Sequence, residues 1–243
     1  MRIYAIGDIH GQLGELEAAH ARIAQDREET GDGDAPVVHL GDLVDRGPDS
    51  RGVIEFLMES IAEGAPWIVI KGNHDRMFEG LLDLEQTPMV AFSSWCSDNI
   101  GGTETALSYG VERSVWRSDA VNRERLIAAV PDGHAAFLRD LPLWHETPDL
   151  LFVHAGIRPG LPLSEQIEDD LLWIRREFHA DPRDHGPLVV HGHTPVDTPT
   201  HYGNRVNLDT GAGYGQPMTA AVFEGRRCFV LGPDGREELF PSV

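Results

Sequence analysis

The sequence predicts an α/β fold, and two observations lead to this prediction. Short apolar runs alternate with amphipathic helical patterns through the first 70 residues, in the order strand, helix, strand, helix, strand. Further short apolar runs crowd the second half of the chain. The first pattern is typical of a mainly parallel sheet covered by helices, and the second predicts antiparallel hairpins and a second sheet.

The N-terminal third of the chain has the clearest elements. Apolar side chains repeat every three or four residues in two segments, as they do on one face of a helix. The stretch from Thr30 to Pro36 contains Gly, Asp and Pro, and it separates the first helix from the next strand. The predicted elements are a strand at Arg2–Gly7, a helix at Leu13–Glu28, a strand at Val37–Leu40, a helix at Asp49–Glu63 and a strand at Trp67–Ile70.

The rest of the chain is less regular. Residues 77–141 are predicted to be helical and irregular, and their first part, 77–131, is expected to help form a substrate pocket. The later predicted elements are strands at Leu150–Val153, Leu188–Val190, Arg205–Leu208, Met218–Phe223 and Arg227–Leu231, with one helix at Ser164–Phe178. Because no clear linker or repeat interrupts the pattern, residues 1–243 are predicted to form a single domain.

Composition excludes several classes of partner. The 243 residues include 40 acidic and 20 basic side chains, which give a formal net charge of −20. Proteins that bind nucleic acid or anionic membranes use clustered Lys and Arg, so neither partner is expected. The two cysteines, Cys96 and Cys228, lie far apart and indicate no disulfide framework. No targeting or membrane-spanning segment is evident, and we expect a cytoplasmic protein.

Residue types that bind metals follow five predicted strands, each beside a glycine. They are Asp8 and His10 in Gly-Asp-Ile-His-Gly, Asp42 in Gly-Asp-Leu-Val-Asp-Arg-Gly, Asn73 and His74 in Gly-Asn-His-Asp, His154 in His-Ala-Gly, and His191 and His193 in His-Gly-His-Thr. Ligands of such sheets collect at the carboxyl ends of the strands. A single Gly-Asp turn or loop histidine is usually structural, but the ordered set of five favours a functional site.

The chemistry of these groups points to a pair of metal ions. Carboxylate, imidazole and amide groups together suit Mn, Fe or Zn, whereas Mg and Ca prefer oxygen alone. A carboxylate shared by two metals holds them roughly 3.5–4 Å apart, a spacing used for the attack of water on phosphorus. The sequence has no phosphate-binding loop of the nucleotide triphosphatases and no Gly-x-Ser-x-Gly turn, which disfavours those enzyme classes.

In order and spacing, the motifs resemble the signature of the calcineurin-like metallophosphoesterases. Within that family they resemble the phosphoprotein phosphatase branch, which includes bacterial and bacteriophage lambda-like serine/threonine phosphatases. The resemblance covers residues 7–194. It implies a sandwich of two mixed β-sheets flanked by helices, with a dinuclear metal site at the strand ends.

The resemblance also implies which residues bind the two divalent ions. One ion is bound by Asp8 and His10, Asp42 bridges both ions, and the second ion is bound by Asn73, His154 and His193. A hydroxide that bridges the ions is then the nucleophile, and no phosphoenzyme is expected. Mn is the metal that the resemblance favours, with Fe or Zn as alternatives.

Further residues match catalytic groups of the family. His74 matches the acid that protonates the leaving group, and Asp45 matches the carboxylate that holds its ring. Arg46 and Arg175 match two arginines that bind the substrate phosphate. Asn73 and His74 also face that phosphate in the family. Arg176 is the alternative to Arg175 as the second phosphate-binding arginine. The non-functional explanation for Arg175 is that it lies on a solvated helix face.

Some positions need a choice or depart from the family pattern. His193 follows a glycine, as the family ligand does, so His191 is interpreted as structural. Asp75 stands where the lambda-like enzymes have Glu and where symmetrical diadenosine tetraphosphatases have Asp. The sequence Val-Asp-Arg-Gly at 44–47 argues against the tetraphosphatases, because those enzymes resemble Val-Ala-Arg-Gly and have Ala in place of Asp45. Asp209 is interpreted as a support, with a hydrogen bond to a ligand histidine as one option.

The expected function is metal-dependent hydrolysis of phosphomonoesters, on phosphoserine or phosphothreonine of a protein or peptide. Phosphotyrosine is a further substrate. The first alternative is a symmetrical diadenosine tetraphosphatase or another small-molecule phosphohydrolase. The second is a catalytically silent phosphoprotein-binding module, whose hallmark would be a missing metal ligand, yet every ligand position is filled.

Overall fold

Two mixed β-sheets pack face to face, with helices on both outer sides, in a computed structural model that describes residues 2–83, 85 and 87–242. The predicted α/β sandwich of two mixed sheets is confirmed. Residues 84 and 86 of the segment expected to form the pocket lie outside the described residues.

The first sheet combines parallel and antiparallel strands in the order β11-β10-β9-β1-β2-β3. Strands β1, β2 and β3 are parallel, and β9, β10 and β11 add to β1 as antiparallel strands. The strands are β1 (Arg2–Ile6), β2 (Val37–His39), β3 (Trp67–Val69), β9 (Ala220–Glu224), β10 (Arg227–Gly232) and β11 (Gly235–Leu239). The parallel half therefore ends in the loops that carry the first three motifs.

The second sheet has the order β4-β5-β6-β8-β7. Its three central strands are parallel, and an antiparallel strand lies at each edge. The strands are β4 (Trp144–Glu146), β5 (Leu150–Val153), β6 (Leu188–His191), β7 (Thr200–His201) and β8 (Arg205–Asn207). Strands β5 and β6 end in the loops with the last two motifs.

Helices cover the outer face of each sheet. The α-helices are α1 (Leu13–Thr30), α2 (Ser50–Ala62), α3 (Asn73–Leu82), α4 (Phe92–Trp95), α5 (Gly102–Ser108), α6 (Asp119–Ala129), α7 (Asp132–Asp140), α8 (Glu168–Trp173) and α9 (Arg176–His179). Helix α1 ends where Gly31 takes a left-handed conformation with φ of 70°. Helix α2 begins after Asp49, whose side chain accepts a hydrogen bond from the Gly52 amide.

Alternation along the strands divides the apolar side chains into three layers. Ile3 and Ala5 of β1 point into the core between the sheets, where Phe152 and Phe223 meet edge to face with ring centroids 6.0 Å apart. Tyr4 and Ile6 of the same strand point to the helical side. A third cluster joins the outer face of the second sheet to α8 and α9. The apolar layer between the sheets thus holds them face to face.

One predicted helix is wrong. Ser164–Phe178 is broken into a short 3-10 turn, α8 and α9, because the backbone leaves the helical region at Gln166 and Ile167 and again at Ile174 and Arg175. The break buries the Ile174 side chain in the cluster beneath the second sheet, and it turns Arg175 toward the loop after β6. Elsewhere the predicted element bounds differ by only a few residues.

Within the described residues, no helix is long and apolar enough to cross a membrane.

Candidate metal centre

The five motifs lie together, because the two sheets present the carboxyl ends of their parallel strands at one edge of the sandwich. The loops after β1, β2 and β3 come from the first sheet, and those after β5 and β6 come from the second. Their polar side chains are all nearly fully buried: Asp8, His10, Asp42, Asp45, Asn73, His74, His154 and His193. This many buried ionisable groups require partners or metal ions.

Backbone strain is concentrated at the same place. Among the described residues, the non-glycine positions with positive φ are His10, Asp42, Asp45, Arg46 and His193. Each such conformation costs on the order of 1–3 kcal/mol, which surrounding structure must offset. The strain aims the side chains of successive loops at a common point.

Asp42 lies between two groups of histidines. Its Oδ2 is 3.4 Å from Nε2 of His10, and its Oδ1 is 3.4 Å from Nε2 of His154. These atoms belong to two clusters of compatible donor atoms, one formed with His10 and His74 and the other with His154 and His193. One carboxylate oxygen therefore faces each cluster, as a bridging ligand requires.

The imidazoles are oriented by backbone carbonyls. Nδ1 of His10 donates to the Val44 carbonyl at 2.9 Å, and Nδ1 of His154 donates to the Leu40 carbonyl at 2.8 Å. A proton on Nδ1 leaves the lone pair of Nε2 directed into the site. Burial lowers the pKa of both histidines, and it lowers the pKa of His193 to about 3. All three rings are thus neutral, which is the ligating form.

Asn73 joins the loops of the two sheets. Its Oδ1 is 2.8 Å from Nε2 of His154 and 2.8 Å from Nδ1 of His193. Asn73 is the first residue of α3, directly after Gly72. A side chain on Gly72 would lie 2.1 Å from the Asp42 amide nitrogen, so glycine is needed for the close approach of the two loops.

Asp8 adds a carboxylate on the other side of His193. It accepts a hydrogen bond from the His193 amide at 3.1 Å. Burial and the neighbouring carboxylates of Asp209 and Asp42 raise its pKa well above the ordinary value. Asp209 lies beside this carboxylate and accepts a hydrogen bond from the Gly211 amide. The sequence offered a hydrogen bond from Asp209 to one of the candidate ligand histidines as an option, and the structure gives Asp209 these other partners instead.

The carboxylates and histidines fit a pair of divalent ions. Burial alone would raise the pKa of Asp42, but the nearby histidines, His154 foremost, hold it well below the usual range. The ionised Asp42 carboxylate thus lies among imidazole nitrogens and an amide oxygen, which is a mixed nitrogen and oxygen donor set. Burial first, and then the carboxylates of Asp209 and Asp42, raise the pKa of Asp8, and a bound cation would offset both effects.

His74 and Asp45 form an ion pair next to the clusters. Nδ1 of His74 is 2.7 Å from Oδ2 of Asp45. Asp45 also accepts hydrogen bonds from Trp95 Nε1 at 3.1 Å and from Thr105 Oγ1 at 2.9 Å. Burial lowers the pKa of His74, but Asp42 and Asp45 outweigh burial and raise it. The ring therefore tends to carry the proton that a leaving-group acid must supply.

The two predicted arginines lie on opposite sides of the site. Arg46 contacts His10 through Nη1 and lies 3.2 Å from His74 Nε2 through Nη2. Arg175 donates from Nε to Nε2 of His193 at 3.1 Å. Arg176, the rival position, is the first residue of α9. The structure thus brings Arg46 and Arg175 to the ligand groups, as two phosphate-binding arginines would need.

Other neighbours were interpreted differently or missed. Asp75 accepts hydrogen bonds from the Leu43 and Gly72 amides, both at 2.8 Å, and so ties the loops after β2 and β3. His191 accepts from Arg205 at 3.1 Å and faces the core. Tyr214, whose ring lies 4.7 Å from the Arg46 guanidinium, was missed, because nothing local in Gly-Tyr-Gly indicates that proximity.

Comparison with known proteins gives a family match. The calcineurin-like phosphoesterase family model matches residues 1–212. The chain is similar to the asymmetrical bis(5'-nucleosyl)-tetraphosphatase PrpE of Halalkalibacterium halodurans, at 26% identity over 92% of this chain and 90% of the relative. The protein of the same name from Bacillus thuringiensis is 26% identical over 90% of this chain and 89% of the relative.

Solved structures share the fold. A putative diadenosine tetraphosphatase superposes with a TM-score of 0.64 at 21% identity, over 99% of this chain and 95% of that one. A cold-active protein-tyrosine phosphatase of a Shewanella species gives 0.59 at 15% identity, over 98% and 80%. A protein serine/threonine phosphatase from Saccharomyces cerevisiae gives 0.56 at 17% identity, over 100% and 80%.

Proposed function

The chain belongs to the calcineurin-like phosphoesterase family, hydrolases with a dinuclear divalent metal centre, and from this premise we propose that it hydrolyses bis(5'-nucleosyl) tetraphosphates. The observation that carries the substrate is the similarity to asymmetrical tetraphosphatases, which extends over about nine tenths of both chains. This substrate class was the alternative in the sequence interpretation, in its symmetrical form. Phosphoprotein becomes the second candidate.

The metal ligands are proposed as the resemblance implies them. Asp42 would be shared by the two ions, Asp8 and His10 would complete one site, and Asn73, His154 and His193 would complete the other. The mixed donor set suits Mn, Fe or Zn, and the family resemblance favours Mn among them. When bound, the ions supply a water of lowered pKa and Lewis-acid charge at the phosphate.

The protein side chains supply orientation and a proton. Arg46 and Arg175 flank the ligand groups from opposite sides, so their guanidinium groups can bind the oxygens of the reacting phosphate. His74 donates a proton to the leaving oxygen, and Asp45 keeps the ring charged and aligned. Trp95 and Thr105 of the segment 77–131 support this pair, because both donate hydrogen bonds to Asp45.

Phosphoserine and phosphothreonine in proteins are the second candidate, and the His74–Asp45 pair favours it. A serine alkoxide is a poor leaving group until it is protonated, whereas a nucleotide polyphosphate leaves more readily. A buried, three-point support for Asp45 is most valuable for the harder leaving group. The same site therefore has a chemical reason to act on phosphoprotein.

A substrate panel with defined metal tests both candidates. Purified protein is assayed with Mn and diadenosine tetraphosphate, a phosphoserine peptide and p-nitrophenyl phosphate, and metal per chain is measured on the same sample. We expect the highest kcat/KM for the tetraphosphate. A higher value for the phosphopeptide would reverse the order of the candidates. Two bound metals without hydrolysis of any substrate would indicate the silent binding module.

A further inference from the structure

A cavity of about 230 Å³ opens beside the metal centre. Its volume is far larger than the share of one water molecule, about 30 Å³, so it has room for a substrate group. The lining includes Arg46, Asp98, Glu104, Arg113 and Tyr214. These residues come from the loop after β2, the segment around α5 and the loop after β8.

The cavity adjoins the reacting centre without an intervening layer. Arg46 belongs to both, because its guanidinium contacts His10 and His74 and also lies over the Tyr214 ring, 4.7 Å from the centroid. Gly213 keeps this junction tight, since a side chain there would lie 2.6 Å from the His10 ring. A group held in the cavity therefore lies directly beside the place of the reacting phosphate.

The charges of the cavity suit a neutral group. Arg46 and Arg113 are balanced by Asp98 and Glu104, so a further run of phosphates would meet two carboxylates. Carboxylates accept hydrogen bonds from hydroxyl groups, as they do from the ribose of bound dinucleotides. Hydroxyl-bearing sugar is thus a better partner for this lining than polyphosphate.

An aromatic surface completes the set. Tyr214 is 62% exposed, although one neighbour of its ring is the Arg46 guanidinium. An exposed aromatic face is a surface on which a nucleobase can stack, whatever the base, because every base has a π-face. The lining thus offers an aromatic ring to a base, two carboxylates to ribose hydroxyls and Arg46 to a phosphate.

We propose that this cavity is the subsite for the nucleoside attached to the reacting phosphate, an inference that rests on the proposed tetraphosphatase function. With the nucleoside beside the metal centre, its own phosphorus is the one attacked. A new bond forms between the water oxygen and this phosphorus, and the bond to the bridging oxygen of the second phosphate breaks. The triphosphate leaves with the electron pair and takes a proton from His74, and the proton lost by water goes to solvent.

Isotope labelling tests the position of attack. Diadenosine tetraphosphate is hydrolysed in water enriched in oxygen-18, and the products are analysed by mass spectrometry. We expect the label in adenosine monophosphate and none in the triphosphate. Label in the triphosphate, or two diphosphates as products, would overturn the subsite. Absence of tetraphosphate hydrolysis together with turnover of p-nitrophenyl phosphate would instead reject the proposed function.

Substitutions test the residues of the subsite. Tyr214→Ala and Arg113→Ala should each raise KM for the tetraphosphate about tenfold, with a much smaller change for p-nitrophenyl phosphate, which has no nucleoside. Tyr214→Phe keeps the ring and should restore the low KM. The matched control is Arg117→Ala, since Arg117 is exposed and outside the cavity lining. Equal changes of KM for both substrates would contradict the subsite.

Binding gives a readout that does not depend on turnover. Adenosine monophosphate is titrated into the protein by calorimetry, with each variant at the same metal content. We expect Tyr214→Ala to weaken binding about tenfold and Arg117→Ala to leave it unchanged. Unchanged binding in Tyr214→Ala, in a protein that hydrolyses the tetraphosphate, would overturn the subsite while leaving the function intact.

Discussion

At the scale of single residues, Asp42 has the greatest influence on the site, because its two oxygens face different histidine clusters. Asp42→Asn removes the negative charge between them, so we expect both ions to bind weakly. Turnover should fall by about 10³-fold or more on every substrate, which corresponds to about 4 kcal/mol or more of lost stabilisation. Metal per chain and kcat are measured together. A variant that keeps two tightly bound metals would contradict the bridging role.

His74 makes a prediction that depends on the leaving group. In His74→Asn the acid is lost, and general acid catalysis contributes about 10²–10⁴-fold where the leaving oxygen is strongly basic. We therefore expect a loss in this range on phosphoserine peptide and a much smaller loss on p-nitrophenyl phosphate. Asp45→Asn should show the same order of effects, because it removes the partner of Nδ1. Equal losses on the two substrates would count against His74 as the acid.

At the scale of elements, α1 is tied to the first sheet by one buried carboxylate. Asp26 of α1 accepts hydrogen bonds from Arg236 of β11 and, at 2.6 Å, from the Tyr4 hydroxyl of β1. Burial alone would raise the pKa of Asp26, but these partners hold it below the ordinary value. Asp26 is 5% exposed, so its loss removes the more buried of the two carboxylates that pair with Arg236 and leaves Glu224 as the remaining partner.

Asp26→Asn should therefore destabilise the protein by about 2 kcal/mol near pH 7, measured by urea unfolding, because it weakens the charge-assisted hydrogen bonds from Arg236. The pKa of Asp26 is lower in the folded protein than in the unfolded chain, where it is about 3.9. Its ionised form therefore stabilises the fold fully above about pH 3.9, and this stabilisation is lost as the pH falls through the folded pKa. The difference from the parent protein should thus shrink below about pH 4. The control is Asp32→Asn. The Asp32 side chain forms an ion pair with Arg2 and is 42% exposed, so its substitution should change the free energy of unfolding by less than about 1 kcal/mol. A pH-independent difference would contradict this account.

The elements also show what the sequence could and could not predict. Strands β1, β2, β3, β5 and β6 are mostly apolar runs followed within three residues by a glycine, and their positions were predicted within about one residue. Strand β11 was missed because its Arg-Glu-Glu core has the charged composition of an edge strand. The break at Ile174 and Arg175 was missed because the turn is set by packing against the second sheet, and no Gly or Pro indicates it.

The site was predictable for a different reason from the fold. The candidate ligand residues follow strand ends, and parallel strands gather such ends at one edge, so the sequence order of the motifs already implied their proximity. Tyr214 and Thr105 could not be found in this way. Their positions beside Arg46 and Asp45 depend on how two loops distant in sequence pack together.

At the scale of the whole molecule, the formal charge of −20 opposes the approach of any phosphate substrate. The proposed site has the opposite balance, because two divalent ions with Arg46 and Arg175 outweigh the three carboxylates of Asp8, Asp42 and Asp45. Attraction of substrate should therefore act only at short range. The long-range field should repel a polyphosphate.

Salt dependence distinguishes these two ranges. Raising the ionic strength from about 10 mM to about 100 mM shortens the screening length from about 30 Å to about 10 Å, which weakens long-range repulsion more than contacts within the site. We expect kcat/KM for diadenosine tetraphosphate to stay level or rise over this interval, with a smaller change for p-nitrophenyl phosphate, which carries fewer charges. An enzyme that steers its anionic substrate would lose rate steeply instead. A tenfold fall in kcat/KM for the tetraphosphate would show that the field of the site, and not the net charge of the chain, governs the approach of substrate.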